Sequence, residues 1–579
     1  MIRDYLKQYG WRYVPGVAFL LLNAYVASWT PAFLGNAIDG LSAAGVIDRG
    51  YVLKQVLYLV SAAVFVFLTR YIWRYFIIGN ARYLEIFIRE RLFRKFQHMP
   101  ADFFDRNPTG DLMALAINDI SAVRMTAGMV VSQILTGSMT AIFSLYKMFR
   151  NIHMSLALYA MIPVAVSIAG VFFLGGRIRQ KFGRVQRLYA RISGAIQENI
   201  MGMRVIKAFH REEPVEAQIR EKSAEMRDAN IDLTNTSSLL SPMIQILFGI
   251  SFLISLTYGS SLVLDYTISV GELVMFNDYL LMIMAPVISL GRVINAAARG
   301  KASYRRLNAI FQLPEIPERE YADCPPLDGA ISVQHLTYAY DGSREVLRDV
   351  SFDLPIGKVL GIIGETGSGK TTLIDLLLKF RSAPPGTIAI DGRDLTEIPA
   401  RAVRELVGYV PQEEFLFQTT VRENIRFYTA ASDEAVDAAA EAADLKKDLD
   451  KLADGYETDV GERGRHLSGG QKKRVTIARA LVRDPKLLIF DDVLSSVDVR
   501  TEQRILDNLS RVMRGKTCLI ISQRISALRH ADEILYMQDG RIVERGTHEQ
   551  LMAQNGRYAA MYRQQSRAAD EAGLPDLME

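Results

Sequence analysis

The chain has 579 residues, 49% of them apolar, and its 68 lysines and arginines nearly balance 64 aspartates and glutamates. That length exceeds a single hydrophobic core and calls for at least two domains, while a net charge of +4 gives no reason to invoke nucleic acid. Two cysteines, Cys324 and Cys518, make no disulfide framework and suit a reducing compartment.

The N-terminus carries Arg3, Lys7 and Arg12 ahead of an apolar run too long for a cleaved signal peptide, so it reads as a retained anchor. Residues 14–38 hold no charge, and at about 1.5 Å per helical residue they cross a hydrocarbon core of about 30 Å. Similar runs follow near 126–146, 154–175, 239–264 and 268–290, with a weaker one near 56–77 that contains Arg70 and Arg74. Six spans are therefore predicted. The connections 39–55, 150–153 and 265–267 are short. The other two are long and basic, one with Arg82, Arg89, Arg91, Arg94, Lys95 and Arg106, the other with Arg177, Arg179, Lys181, Arg184, Arg187, Arg204 and Lys207. The positive-inside tendency puts both in the cytoplasm, together with both termini. Their amphipathic pattern predicts that spans two to five continue as helices beyond the bilayer.

Within the spans, Arg70 and Arg74 share a helical face, which suits either binding an anionic substrate or lining a water-filled cavity, or else snorkelling or inter-helix pairing near the cytoplasmic boundary. Pro163, Pro242 and Pro286 fit kinks or plain structural tolerance. Met275, Phe276, Tyr279, Met282 and Met284 suit an adaptable apolar pocket or ordinary packing.

The stretch QLPEIPEREYADCPPLDG, residues 312–329, is rich in proline and charge and reads as a linker, with a soluble domain starting near Ala330. ISVQHLTYAY and KVLGIIG read as strands, and KTTLIDLLLKF as a helix. Between the last two lies Gly364, Glu365, Thr366, Gly367, Ser368, Gly369, Lys370, Thr371, Thr372, which fits G-x-x-x-x-G-K-[ST] in the strand-then-helix setting the motif requires. Such a loop wraps phosphates with backbone N–H groups and a helix N-terminus; Lys370 adds a cation and the Thr371 hydroxyl is suited to Mg²⁺. LSGGQ, with Ser468, Gly469, Gly470 and Gln471, follows, and then the apolar strand LLIFD ends in Asp491.

These motifs in this order resemble the ATP-binding cassette (ABC) exporters, in the half-transporter form of six spans followed by one cassette. The resemblance covers nearly the whole chain. It implies an α-helical membrane domain whose six transmembrane helices extend into the cytosol (residues 1–311), the linker 312–329, and an α/β P-loop cassette with an α-helical subdomain (residues 330–564), ahead of a disordered tail (565–579). It further implies ATP and Mg²⁺ as cofactors. Tyr340 matches the aromatic that stacks on adenine, and Gln412 the glutamine that meets Mg²⁺ beside Thr371 and Asp491. Asp498 in SSVD resembles the loop crossing the cassette dimer, TDVGERG at 458–464 the exporter-specific loop, and residues 118–123 and 197–202 the two cytoplasmic coupling segments.

Two positions depart from the family pattern. After Asp491 the family usually has glutamate as catalytic base, whereas this chain has Asp492, one methylene shorter. In the switch strand TCLIISQRIS the usual histidine is Gln523, which can hydrogen-bond a phosphate but never becomes cationic; His530 reads as a surface residue. The expected site binds ATP and Mg²⁺ and hydrolyses slowly, as in the degenerate-site half of heterodimeric bacterial multidrug exporters. Head-to-tail cassettes then set Ser468, Gly469, Gly470 and Gln471 on the ATP of a partner half-transporter that carries glutamate and histidine. The implied partners are that subunit, membrane lipid and amphipathic small molecules such as drugs or lipids, exported across the bacterial inner membrane. A homodimer with Asp492 as a slow base, an importer of metal chelates, and a non-transporting ATP-binding regulator are the alternative readings.

Overall fold

The computed structural model describes residues 2–42, 49–314, 326–340, 344–493, 510–511 and 513–571. The chain divides into two compact units, Met1–His98 with Asn107–Pro314, and Glu315–Glu579 with the inserted segment Met99–Arg106.

The first unit is built on six helical stretches, Ile2–Leu41, Arg49–Gln97, Thr109–Ile152, Met154–Met201, Glu212–Leu264 and Val270–Gln312, each with a window long and apolar enough to cross a membrane. The second is 49 residues long, about 70 Å of helix, and so extends well past a hydrocarbon core of about 30 Å. The chain enters through α1, Ile2–Tyr9, whose Tyr5 is fully buried and donates to the carbonyl and side-chain oxygens of Asn80 at 2.8 and 2.7 Å.

The first span is interrupted after Ala27 and resumes at Thr30. Pro31 lacks the N–H that would reach back to Ala27, and the Thr30 hydroxyl donates to that carbonyl instead, at 2.7 Å. The Ser28 carbonyl released by the break accepts from Lys147 Nζ at 2.8 Å and from the Tyr279 hydroxyl at 3.1 Å, with Lys147 also 3.8 Å from the Trp29 ring centroid. Further along, the Asp39 carboxylate accepts from Ser269 Oγ (2.6 Å) and Gly271 N (2.7 Å), capping the sixth helix. A Cβ on Gly271 would lie 2.1 Å from the Gly35 carbonyl, so only glycine permits this approach.

Phe276 and Tyr279 are fully buried in the helix-packing core with Met275, and Met282 and Met284 pack against them, so these residues serve packing. Arg70 and Arg74 are exposed on the second helix. Residues 118–123 belong to the third helix, where Asp119 is buried and accepts from Ser303 Oγ (2.7 Å) and Arg306 Nε (2.9 Å) of the sixth. Residues 197–202 close the fourth helix. Met99–Arg106, centred on helix α2, Ala101–Arg106, is grouped with the cassette unit. Its acids find a basic partner there, whereas Asp119 meets its own arginine inside the helical unit.

The second unit contains two sheets. β1 (Ile331–Ala339) pairs antiparallel with β2 (Glu345–Leu354) and with β4 (Ile388–Ile390), which pairs with β5 (Arg393–Asp394). The larger sheet has the order β10-β9-β3-β8-β7-β6, built from β3 (Val359–Gly364), β6 (Val407–Val410), β7 (Leu487–Asp491), β8 (Thr517–Ile521), β9 (Glu533–Gln538) and β10 (Arg541–Gly546). All its pairings are parallel except β9 with β10. Every residue of β7 and β8 is buried, as unbroken runs such as LLIFD and TCLII require when both faces are covered. Cys518 lies in this core, where burial pushes its thiol up to about 12. The last helix, Arg557–Glu571, runs past residue 564, and Gln565 is bonded into the fold; the rest of the expected tail, 572–579, lies outside the described residues.

Candidate functional site

β3 ends at Gly364, and the chain turns through the glycine-rich loop into helix α3, Lys370–Leu377. A Cβ on Gly364 would lie 2.1 Å from the Met537 carbonyl. One on Gly369, at φ +100°, would meet Leu347 at 2.7 Å and the Val346 carbonyl at 3.0 Å. The loop keeps its tight shape because these two positions carry no side chain. Glu365, Thr366 and Gly367 face outward, while Ser368 and Lys370 are buried. Lys370 Nζ donates to the carbonyls of Gly364 and Glu365, both at 2.7 Å, and to Ser368 Oγ at 3.1 Å. Burial holds its ammonium below the ordinary lysine range, against the pull of Asp492, Asp491 and Glu365.

Thr371 is exposed on the first turn of α3, whereas Thr372 is buried and its hydroxyl is 2.8 Å from that of Tyr340. Tyr340, just past β1, therefore closes one side of the loop. Its ring lies under Arg381, whose guanidinium carbon is 4.6 Å from the centroid.

Asp491 ends β7 and Asp492 follows; both are buried, at 3% and 7% exposure. Burial first, and then the neighbouring Asp492, raise Asp491 to about 6, against the opposing charges of Lys370 and Lys473. Asp492 has φ +48°, a left-handed conformation that aspartate tolerates better than most residues, and its N–H donates to the Ile521 carbonyl at 2.8 Å. At the end of β8 the exposed Gln523 reaches the same loop, with Nε2 3.5 Å from Thr366 Oγ1. His530 is exposed.

Ser468 caps helix α4, Gly469–Leu481: its hydroxyl accepts from Gln471 N, and Gln471 Oε1 accepts from Ser468 N. The glycines of LSGGQ thus form an exposed helix N-terminus, a ready anion site. Asp498 lies outside the described residues.

Two positioning residues escaped the sequence reading. Lys473 on α4 is fully buried; its Nζ donates to the Gln412 carbonyl at 2.9 Å and pairs with Glu414 Oε1 at 3.2 Å, holding the Gln412 loop to the signature helix. Its neighbours in LSGGQKKR gave no sign of this, since a lysine run usually marks a solvated face. Gln565, on α5 (Arg557–Glu571), donates to the Gln523 carbonyl at 2.7 Å and accepts from Ile525 N at 3.1 Å, bracketing the switch strand.

The Asp491 carboxylate and the Thr371 hydroxyl are oxygen donors of the kind that suits a hard cation. Among the described residues no group of three or more His, Cys, Asp or Glu side chains forms a metal cage.

A family model described as the ABC transporter transmembrane region matches residues 15–287, and one described as ABC transporter matches residues 347–495. The chain is 37% identical over 574 residues to the probable multidrug resistance ABC transporter ATP-binding/permease protein YheI of Bacillus subtilis, covering 98% of each. It is 33% identical to the multidrug resistance-like ATP-binding protein MdlA of Escherichia coli (99% of this chain, 97% of the other). With the ATP-dependent lipid A-core flippase of Syntrophus aciditrophicus identity is 32%, over 84% of this chain and 82% of the other. Among solved structures, that of a bacterial Atm1-family ABC exporter with ATP bound superposes with a TM-score of 0.77 at 25% identity, covering 97% of this chain and 98% of that one.

Proposed function

The chain belongs to the ABC transporters, as an exporter with a transmembrane and an ATP-binding domain in one polypeptide, and from that membership we propose that it works as the slow-hydrolysing half of a heterodimer. Its six spans make it a multi-pass protein, for which a bacterial inner membrane with the cassette on the cytoplasmic side is the fitting location. Its own loop, residues 364–372 with Tyr340, Gln412 and Asp491, holds ATP and Mg²⁺. Ser468, Gly469, Gly470 and Gln471 complete the partner's site across the dimer, with Asp498 in the crossing loop. The names of the relatives support amphipathic cargo, drugs or lipids, moved out of the cytoplasm or inner leaflet.

The observation that carries the reading is the pairing of Asp492 and Gln523 in one site. Gln523 meets the phosphate loop at Thr366 with a neutral amide that can hydrogen-bond a phosphate but can neither take up a proton nor become cationic. Asp492 ends one methylene short of the usual base, and a displacement of about 1 Å at a reacting group costs about 10²-fold in rate. Two independent losses at one site, beside an intact phosphate loop and signature, describe a site that grips ATP and lets the partner's site turn over. The deciding experiment purifies the tagged chain from its native membrane and identifies what copurifies in equal amount. A second half-transporter with glutamate and histidine at the positions of Asp492 and Gln523 establishes the heterodimer. Recovery of this chain alone, hydrolysing ATP, makes Asp492 a working base and the assembly a homodimer.

A further inference from the structure

Arg381 has every edge of its guanidinium committed and a ring against its face. Nε contacts Asp375 Oδ2 at 3.1 Å, Nη2 contacts Asp105 Oδ2 at 2.6 Å, and Nη1 pairs with Asp102. Its guanidinium carbon stands 4.6 Å from the Tyr340 ring centroid, and the Tyr340 hydroxyl is 2.8 Å from Thr372 Oγ1. Asp375 and Thr372 both belong to α3, the helix that follows the phosphate loop, while Asp102 and Asp105 belong to α2. The arginine side chain is only 14% exposed. One cation is shared by three carboxylates, and its face is given to the aromatic that the proposed function assigns to the nucleotide base. A guanidinium does both at once because it is a planar fork, which an ammonium is not.

With one face of Tyr340 against Arg381, a planar base stacks on the other. We propose that Arg381 is a positioning residue of the nucleotide site, backing the Tyr340 ring and tying it to the acidic pair Asp102 and Asp105, so that base binding and the docking of α2 are energetically linked. The inference rests on the reading of Tyr340 as the base platform. Linkage is reciprocal: whatever factor the nucleotide adds to the hold on α2, an intact α2 contact adds to nucleotide affinity. The link is expected to act through the base rather than the phosphates, because Arg381 meets the Tyr340 ring and Asp375 and not Lys370.

The test uses the full chain with its native partner in lipid nanodiscs. This chain is photolabelled with an azido-adenine nucleotide, which is displaced by ATP or by tripolyphosphate. Arg381→Gln is expected to raise the ATP concentration needed for displacement about three- to tenfold and leave that of tripolyphosphate unchanged. Arg381→Lys should not restore it. Asp102→Asn with Asp105→Asn should weaken ATP in the same selective way, and should add nothing when combined with Arg381→Gln. Equal loss of ATP and tripolyphosphate, or strictly additive effects, would overturn the proposal in favour of a merely structural ion-pair cluster. Should Arg381→Gln fail to fold, the pair Asp102 and Asp105 carries the test alone, and an unchanged ATP affinity there overturns it. Tyr340→Ala separates the two readings. If that variant keeps full ATP affinity, the platform reading itself fails; if it loses affinity while Arg381→Gln does not, only the role of Arg381 fails.

Discussion

Gln565 grips the switch strand from both sides of one residue: its amide donates to the Gln523 carbonyl at 2.7 Å and its oxygen accepts from Ile525 N at 3.1 Å. The last helix therefore fixes the backbone that aims the Gln523 side chain. Gln565→Ala should cost about 1–2 kcal/mol of local stability and speed hydrogen exchange at the Ile525 amide, read by mass spectrometry. A chain ending at residue 564 should behave like that variant, and one ending at 571 like the full protein.

Restoring the two departures should restore turnover. Asp492→Glu with Gln523→His is expected to raise ATP hydrolysis at this chain's own site by at least about tenfold, measured as phosphate release from an assembly whose partner site has been silenced. Each change alone should do less than the pair, because the base and the phosphate contact act on one transition state. No gain from the double change would remove the reading of this site as degenerate.

The pH dependence follows from Asp491. Burial and the adjacent Asp492 raise it to about 6, so this carboxylate, the proposed Mg²⁺ ligand, is fully charged only above that pH. The contribution of Mg²⁺ to ATP affinity should be present at pH 7 and fall away as the pH drops through 6, seen by titrating ATP with and without Mg²⁺. The sign for stability is the reverse. A raised pKa means that the folded state holds the proton better than the unfolded chain, so the nucleotide-free cassette loses stability as pH rises from the ordinary carboxylate range toward 6. Asp491→Asn should abolish both trends.

What the sequence carried, and what it did not, follows from separation along the chain. The six spans were legible because membrane crossing needs a continuous apolar run, which 14–38 and 154–175 display directly. The phosphate loop was legible because strand, glycines and helix are contiguous. The contacts of Arg381 with Asp102 and Asp105, by contrast, join residues 279 and 276 positions apart, and nothing in ADFFDR marks its acids as anything but a solvated turn. The partners of Asp119, Ser303 and Arg306, lie 184 and 187 positions away and were equally hidden. Lys473 was hidden for a different reason. Burying a lysine is costly, and only the acceptors that the Gln412 loop supplies make it tolerable.

That cost gives a further prediction. Lys473→Met leaves Glu414 and the Gln412 carbonyl without their cation and should destabilise the protein by about 3–5 kcal/mol, lowering the thermal midpoint. Adding Glu414→Gln should recover part of the loss, since it removes the uncompensated charge. Recovery in this double-mutant cycle distinguishes a lost ion pair from lost packing.

The interruption in the first span has a consequence for biogenesis. The Ser28 carbonyl is served by Lys147 and Tyr279, which lie 119 and 251 positions later in the chain. When the ribosome delivers the first span to the membrane, neither donor has been made. A carbonyl left open in hydrocarbon is costly, so this span enters in a provisional form that water or lipid headgroups must tolerate. Its final bend is set only when the sixth span, the last to be synthesised, closes over it. The first helix to enter the bilayer is thus the last to be finished.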